Sequence, residues 1–233
     1  MHYVLCDIHG NYERFKKMLN KIKISDSDIL YIVGDAIDWG DAPISVLLDI
    51  MKRKNVVFFK GNHEAMMLSC KDILLNITPE TEEDYKRDSY ELRNWLKSGG
   101  NTTLSQFYKL DKASRQEIFD YLDSAILYKE IKVNDKNYIL VHAGFKHFSP
   151  DRELSSYSEK ELIFKSPDYD KPYFTDNTFV ITGHRPTLFI DKNPDKGFIY
   201  RINNHIAIDC GCGYRNGRLG CIRLEDEKEF YAK

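Results

Sequence analysis

The sequence of 233 residues has no apolar run near the roughly 20 residues that a helix needs to cross a bilayer. Its first residues, MHYVLCDIHG, lack a basic region followed by a long apolar stretch, so they do not resemble a signal peptide. The chain also has no large excess of either charge, since it has 34 basic and 36 acidic residues and a net charge of −2. These absences predict a cytoplasmic protein with no membrane partner, and no overall field that favours nucleic acid.

Cysteine is scarce, and its five residues are an odd number scattered along the chain. Reduced thiols in a cytosolic protein are therefore expected. The pair Cys210 and Cys212 could indicate metal or redox chemistry. However, IAIDCGCGY alternates like a β-strand, and we favour the simpler interpretation of small buried thiols.

The chain has enough apolar residues, 42% of the total, to form a substantial core, and its length fits one large domain over residues 1–233. Three strand–loop–helix units follow one another from the N-terminus, beginning at Tyr3, ILYIVGD and VVFFKGNHE. This order predicts an α/β fold with parallel strands and helical cover. Hairpin-like strands follow the helical middle of the chain, with one turn predicted over residues 134–137. The stretch from 147 to 177 is the least regular and predicts a long surface excursion.

Asp, His and Asn residues lie in the loops that follow the predicted strands. The carboxyl ends of strands are where ligands collect in open α/β sheets. Carboxylate, amide and imidazole donors suit Mn, Fe or Zn, and the thiolates of a structural zinc site are missing from these loops. Each motif alone is weak evidence, but five in a fixed order predict a metal site. Its candidate ligands are Asp7, His9, Asp35, Asn62, His142 and His184.

The order D-x-H-G-N, G-D-x-x-D, G-N-H-E, H-A-G, G-H-x-P resembles the phosphoprotein phosphatase family of dinuclear metallophosphoesterases, in its bacterial and phage-type branch. WLKSGGNTTL and IAIDCGCGYRNGRLGCIRLE are similar to segments of the same group. The likeness covers most of the chain and is poor only over about 145–178. It implies a β-sandwich of two mixed sheets flanked by helices, a four-layer α/β/β/α arrangement in a single metallophosphoesterase domain.

The resemblance also implies a role for each matching residue. Asp7 and His9 would bind the first metal, Asp35 would bridge both metals, and the second would be completed by Asn62, His142 and His184. Two divalent ions ~3.5–4 Å apart convert a shared water into hydroxide and stabilise the entering and leaving oxygens. His63 would be the general acid at the leaving oxygen, oriented by Asp38.

The sequence departs from the family where substrate phosphate is bound. The family's usual motif is G-D-x-x-D-R-G, and this sequence has Trp39 at the position of the arginine. Our alignment puts Lys165 of ELIFKSP at the position of a second family arginine. A point-charge lysine does not reproduce the bidentate geometry of a guanidinium. Arg185 could supply a replacement cation. Trp39 could stack on a nucleobase or another planar group, or it could simply pack against a neighbouring loop.

These observations predict metal-dependent hydrolysis of phosphomonoesters, with phosphoserine or phosphothreonine in proteins as the main candidate substrate. The alternative is a hydrolase of nucleotides or dinucleoside polyphosphates. A third possibility, from a different class, is a non-catalytic phosphate-binding regulatory module that has lost its activity. The intact set of metal ligands argues against that possibility, because drift after loss of activity should erode the ligands too.

Overall fold

The computed structural model describes all 233 residues and contains two five-stranded sheets. The strands are β1 His2–Leu5, β2 Ile29–Val33, β3 Val56–Phe59, β4 Tyr128–Val133, β5 Lys136–Val141, β6 Thr178–Thr182, β7 Tyr200–Ile202, β8 His205–Ala207, β9 Leu219–Arg223 and β10 Lys228–Ala232. The first sheet has the order β10-β9-β1-β2-β3 and the second β4-β5-β6-β8-β7. Both sheets are mixed, because β1, β2 and β3 run parallel, as do β5, β6 and β8, while the remaining strands pair antiparallel.

Nine α-helices connect and cover the sheets. They are α1 Tyr12–Ile22, α2 Pro43–Lys52, α3 Asn62–Leu68, α4 Lys71–Leu74, α5 Glu82–Asp88, α6 Tyr90–Trp95, α7 Asn101–Phe107, α8 Lys112–Asp123 and α9 Glu159–Ile163. Local sequence explains several of their ends. Pro43 opens α2, where its missing N–H costs nothing. The side chain of Asp111 caps α8 by accepting a hydrogen bond from the backbone N–H of Ser114 at 2.7 Å.

Successive side chains of a strand point to opposite faces of the sheet, so each strand contributes to two different cores. In β1, Tyr3 and Leu5 join the core beneath the helices, whereas Val4 packs between the two sheets with residues such as Leu140. On the outer face of the second sheet, Ile139 packs with residues of α9. The layers therefore run helix, sheet, sheet, helix, and the predicted fold is confirmed.

Smaller predictions can be compared with the same structure. The parallel β1–β2–β3 unit forms as expected, while the turn predicted over 134–137 is shorter, since β4 ends at Val133 and β5 begins at Lys136. All five cysteines are buried and free, as the small-thiol interpretation requires. The excursion over 147–177 contains α9 and a short 3₁₀ turn. None of the helices combines the length and apolar character required to span a membrane.

The carboxyl ends of β1, β2, β3, β5 and β6 meet at one edge of the sandwich, where backbone hydrogen bonds tie their loops together. The N–H of Asp7 donates to the carbonyl of Gly34 at 3.0 Å. Within the second sheet, the N–H of Gly183 donates to the carbonyl of His142 at 2.8 Å, and the N–H of His184 donates across to the carboxylate of Asp7 at 3.1 Å. This edge brings the predicted ligand loops within contact of one another.

Candidate metal centre and substrate cleft

The six candidate metal ligands converge at this edge, around the carboxylate of Asp35. Its Oδ2 lies 3.4 Å from Nε2 of His142 and 3.9 Å from Nε2 of His9. The side-chain oxygen of Asn62 lies 3.0 Å from Nε2 of His142 and 2.8 Å from Nδ1 of His184. Asp7 completes the cluster, with its Oδ1 3.8 Å from Nε2 of His9. Residues from five separate loops thus point their donor atoms at one small volume.

Two groups of carboxylate and imidazole donor atoms share Asp35, and within each group the atoms lie no more than 4.8 Å apart. One group contains His9 and His63, and the other contains His142 and His184. Burial raises the pKa of Asp7, and the neighbouring Asp35 raises it further. Bringing two carboxylates together out of water requires a compensating positive charge. Carboxylate, imidazole and amide donors around a shared carboxylate therefore fit divalent cations of the Mn, Fe or Zn type.

The backbone at the site has an unusual conformation that the sequence did not predict. Six of the twelve non-glycine residues with positive φ lie here, at φ between 48° and 69°: Asp7, His9, Asp35, Asp38, Trp39 and His184. This left-handed region is uncommon for any residue but glycine, and such residues cluster at functional sites. The sharp bends turn the chain directly after a strand, so that side chains which follow the strand point at the centre.

His63 and Asp38 form a buried pair beside these ligands. The ring donates from Nδ1 to Oδ2 of Asp38 at 2.7 Å, while its Nε2 lies 3.9 Å from Oδ2 of Asp35. Burial lowers the pKa of His63, but Asp35 and the hydrogen bond to Asp38 outweigh burial and raise it to about 9. Because Nδ1 is engaged by Asp38, a proton on Nε2 is the one that the ring can release into the cleft.

Two residues that carried no assignment in the sequence hold Asp38 in place. Trp95 donates from its indole N–H to Oδ2 of Asp38 at 2.9 Å, and the hydroxyl of Thr103 donates to Oδ1 at 2.5 Å. The hydroxyl oxygen of Thr103 also accepts the backbone N–H of Asp38 at 3.1 Å. Both residues lie in WLKSGGNTTL, so the signal for them was the likeness of that segment to the family.

Glu64 fixes the loops that carry Asp35 and Asn62. Its buried carboxylate accepts the backbone N–H groups of Asp35 at 2.9 Å, Ala36 at 2.8 Å and Gly61 at 2.9 Å. Gly61 cannot be replaced cheaply, because an added Cβ would lie 2.1 Å from Oδ1 of Asp35. Burial and the adjacent Asp35 raise the pKa of Glu64 to about 7. The GNHE motif contains this residue, but its function as a backbone clamp becomes visible only in three dimensions.

A cleft of about 370 Å³ opens over the cluster. Of the three candidate substrate-binding residues, only Trp39 lines it. Trp39 lies on the rim, 54% exposed, with its indole packed over the backbone of Gly99. Lys165 and Arg185 are both exposed and neither lines the cleft. Arg185 lines a separate depression with residues such as Tyr169. The lining also includes Asp209, Gly213, Tyr214 and Arg215, which the sequence analysis did not single out.

Sequence comparison agrees with this geometry. A model of the family described as calcineurin-like phosphoesterase matches residues 3–213. The chain is 29% identical to the symmetrical bis(5'-nucleosyl)-tetraphosphatase of Buchnera aphidicola subsp. Schizaphis graminum, over 98% of this chain and 96% of that protein. It is 30% identical to the protein of the same name from Wigglesworthia glossinidia brevipalpis, over 73% of this chain but only 54% of that protein.

Solved structures share the fold at low identity. A crystal structure of a candidate diadenosine tetraphosphatase superposes with a TM-score of 0.65 at 18% identity, covering 99% of this chain and 92% of that one. A serine/threonine phosphatase from Saccharomyces cerevisiae gives a TM-score of 0.55 at 15% identity, covering 100% of this chain and 79% of that one. At such identities these two likenesses establish the architecture alone. The region that matches the family model, however, contains all six candidate metal ligands. The chain therefore belongs to the calcineurin-like phosphoesterases and is a metal-dependent phosphoesterase hydrolase.

Proposed function

We propose that the protein hydrolyses dinucleoside polyphosphates, and the observation that carries this proposal is Trp39. A half-exposed indole lies on the rim of the cleft whose lining also includes His9, Asp35 and His63. The alternative drawn from the sequence thereby gains support over the main prediction, a phosphoserine or phosphothreonine phosphatase. The curated relatives named as dinucleoside tetraphosphatases support the same choice.

Stacking energy explains why the indole favours a nucleotide. A base on an aromatic side chain contributes about 1–3 kcal/mol, and any base has a face that can stack. The Trp39 indole packs against Gly99, so the packing alternative holds for that part of the ring. Trp39 is nevertheless 54% exposed and lines the cleft, so a planar group bound there can reach the ring. A phosphoserine offers no such planar group, and gains nothing from this residue.

The ligand cluster would hold two divalent cations, with Asp7 and His9 on one, Asn62, His142 and His184 on the other, and Asp35 shared between them. When bound, such a pair supplies a nucleophile from water at neutral pH and neutralises charge on the attacked phosphate. His63 releases the proton on Nε2 to the leaving oxygen, since its Nδ1 is engaged by Asp38. Trp95 and Thr103 keep Asp38 in the orientation that this transfer requires.

A substrate panel tests the proposal. With manganese present, kcat/KM is measured for diadenosine tetraphosphate, a phosphoserine peptide and a simple aryl phosphate. We expect the dinucleotide to be the best substrate and the peptide to be no better than the aryl phosphate. A peptide that is cleaved more efficiently than the dinucleotide would restore the protein phosphatase hypothesis and reject this one.

Removal of the indole should act selectively. Trp39→Leu is expected to lower kcat/KM for diadenosine tetraphosphate roughly 5- to 150-fold, the equivalent of about 1–3 kcal/mol of stacking, and to leave the aryl phosphate nearly unchanged. Trp39→Arg should instead raise kcat/KM for the aryl phosphate roughly 10- to 150-fold, because a charge-assisted hydrogen bond contributes about 1.5–3 kcal/mol.

Two controls complete this experiment. Tyr90→Leu removes another exposed aromatic residue, on α6 and outside the cleft, and should not change either substrate. Thermal melts separate binding from packing. If Trp39→Leu lowers the melting temperature and affects both substrates equally, the indole serves packing against Gly99 and not a nucleobase.

A further inference from the structure

The turn from Gly213 to Arg215 forms one wall of the cleft beside His9. A Cβ added at Gly213 would lie 3.4 Å from Cδ2 of the His9 ring, so this backbone is in direct contact with a candidate metal ligand. The next two residues, Tyr214 and Arg215, line the cleft together with Trp39. The turn therefore places one aromatic and one cationic side chain next to the centre.

Arg215 is the only lysine or arginine among the eleven residues that line the cleft. Its guanidinium makes no salt bridge and no hydrogen bond within the protein, and the side chain is exposed. Most other arginines are engaged, as Arg152 is with Glu161 and Arg201 with Glu227. A free planar fork beside a phosphate-cleaving centre has the geometry for bidentate recognition of phosphate oxygens.

The substrate's own charge indicates which phosphates such a cation would meet. In a polyphosphate chain one phosphorus is attacked at the metal centre, while the other phosphates stay intact and keep their negative charge. The phosphates that are not attacked lie beyond the metal centre, so they need a cation of their own elsewhere in the cleft. Among the residues that line the cleft, Arg215 is the one lysine or arginine that can pair with them.

Tyr214 gives the cleft a second aromatic face. It is 47% exposed and meets Phe189 edge to face, with ring centroids 5.1 Å apart at 79°. Phe189 is itself 53% exposed, so the two rings brace one another on the surface. Trp39 and Tyr214 thus provide two aromatic surfaces on one cleft, which matches a ligand that carries a base at each end.

We infer that the Gly213–Arg215 turn is the second half of the substrate site. Arg215 binds the phosphates that are not cleaved, and Tyr214, supported by Phe189, stacks on the second nucleobase. This inference deepens the proposed function and rests on it for the identity of the ligand. It replaces Lys165 and Arg185 as candidates for the phosphate-binding cation, since neither lines the cleft.

Calorimetric titration with ADP and with AMP, in manganese-saturated protein, tests the cation. Arg215→Met should weaken ADP binding roughly 10- to 150-fold, the loss of one charge-assisted hydrogen-bonded contact, and weaken AMP binding less. The aryl phosphate has no further phosphate, so its kcat/KM should change less than about twofold by the same reasoning. Arg87→Met removes an exposed arginine on α5, outside the cleft, as a matched control and should leave both titrations unchanged.

Two results would overturn the inference. Unchanged ADP affinity in Arg215→Met is one, and a loss seen instead in Arg185→Met or Lys165→Met is the other. Tyr214→Leu tests the base, and should raise KM for diadenosine tetraphosphate while the aryl phosphate is unaffected; equal effects on both substrates reject the stacking role. The proposed function is tested separately, because ADP binding is measured without any turnover. It fails if the wild type cleaves the phosphopeptide more efficiently than the dinucleotide.

Discussion

Replacement of Asp35 by asparagine should abolish hydrolysis and lower the metal content of the purified protein. Asp35 is the one carboxylate shared by both donor groups, with three imidazole nitrogens within 3.4–3.9 Å of its Oδ2. Burial raises its pKa, but His142 and His63 outweigh burial and hold the pKa well below the usual range, so an anion is present there at any working pH. Loss of a group that only hydrogen-bonds a metal ligand costs about 10- to 100-fold, and loss of the shared ligand should cost more.

The measurement is metal content by elemental analysis alongside kcat/KM on an aryl phosphate. Asp41→Asn is the matched control, because Asp41 lies in the same loop but is exposed and outside the cleft. It should keep both activity and metal. Near-normal turnover and metal content in Asp35→Asn would show that the centre is not built around this carboxylate.

Replacement of His63 by asparagine should lower kcat by about 10²–10⁴-fold on an alkyl phosphate, the usual contribution of a positioned general acid. Metal content should not change, because Nδ1 is bound to Asp38 and the proposed role needs Nε2 for the leaving oxygen. Asparagine can still donate a hydrogen bond to Asp38, which also retains Trp95 and Thr103, so the buried carboxylate stays paired. A drop in metal content would make His63 a ligand in the group that it shares with His9 and Asp35.

The size of that loss should depend on the leaving group. An alkoxide needs a proton as it departs, whereas a nitrophenolate or a nucleoside diphosphate, whose phosphate has a pKa near about 6, departs with less help. We therefore expect a smaller effect on diadenosine tetraphosphate than on an alkyl phosphate. His147→Asn, at an exposed position outside the cleft where φ is 55°, is the control and should be silent. Equal losses on all leaving groups would rule out proton donation by His63.

The sequence was sufficient for the architecture and the ligand cluster, for a physical reason. Short apolar runs followed by turn residues predict strands, and parallel strands bring their carboxyl ends to one edge, so the sequence alone groups Asp7, Asn62 and His142. The partners of Asp38 were out of reach of such reasoning. Trp95 and Thr103 lie 57 and 65 residues away in sequence, and only the folded chain shows that they meet that carboxylate.

The lining of the cleft is the part that sequence reasoning did not reach. Lys165 and Arg185 were chosen by alignment and by adjacency to His184, which are statements about chain position. The lining of a cleft is a property of surface shape, and it includes Arg215, in a turn that follows a different strand. Nothing in the pattern GYRNGR distinguishes this arginine from a solvated one until the fold places it on the same cleft as His9.

The left-handed backbone at Trp39 has a consequence for how the chain can change. A bulky residue at φ 65° is a steric outlier that glycine would relieve, for a gain of about 1–2 kcal/mol in the free energy of unfolding. Selection for thermal stability alone would therefore favour Trp39→Gly wherever this gain exceeds the loss of the indole's packing on Gly99, and 54% of the residue is exposed. If the indole holds a nucleobase, that variant would be more resistant to heat but less active on dinucleotides. Position 39 is thus a place where a laboratory screen for heat resistance and a screen for turnover should enrich opposite residues.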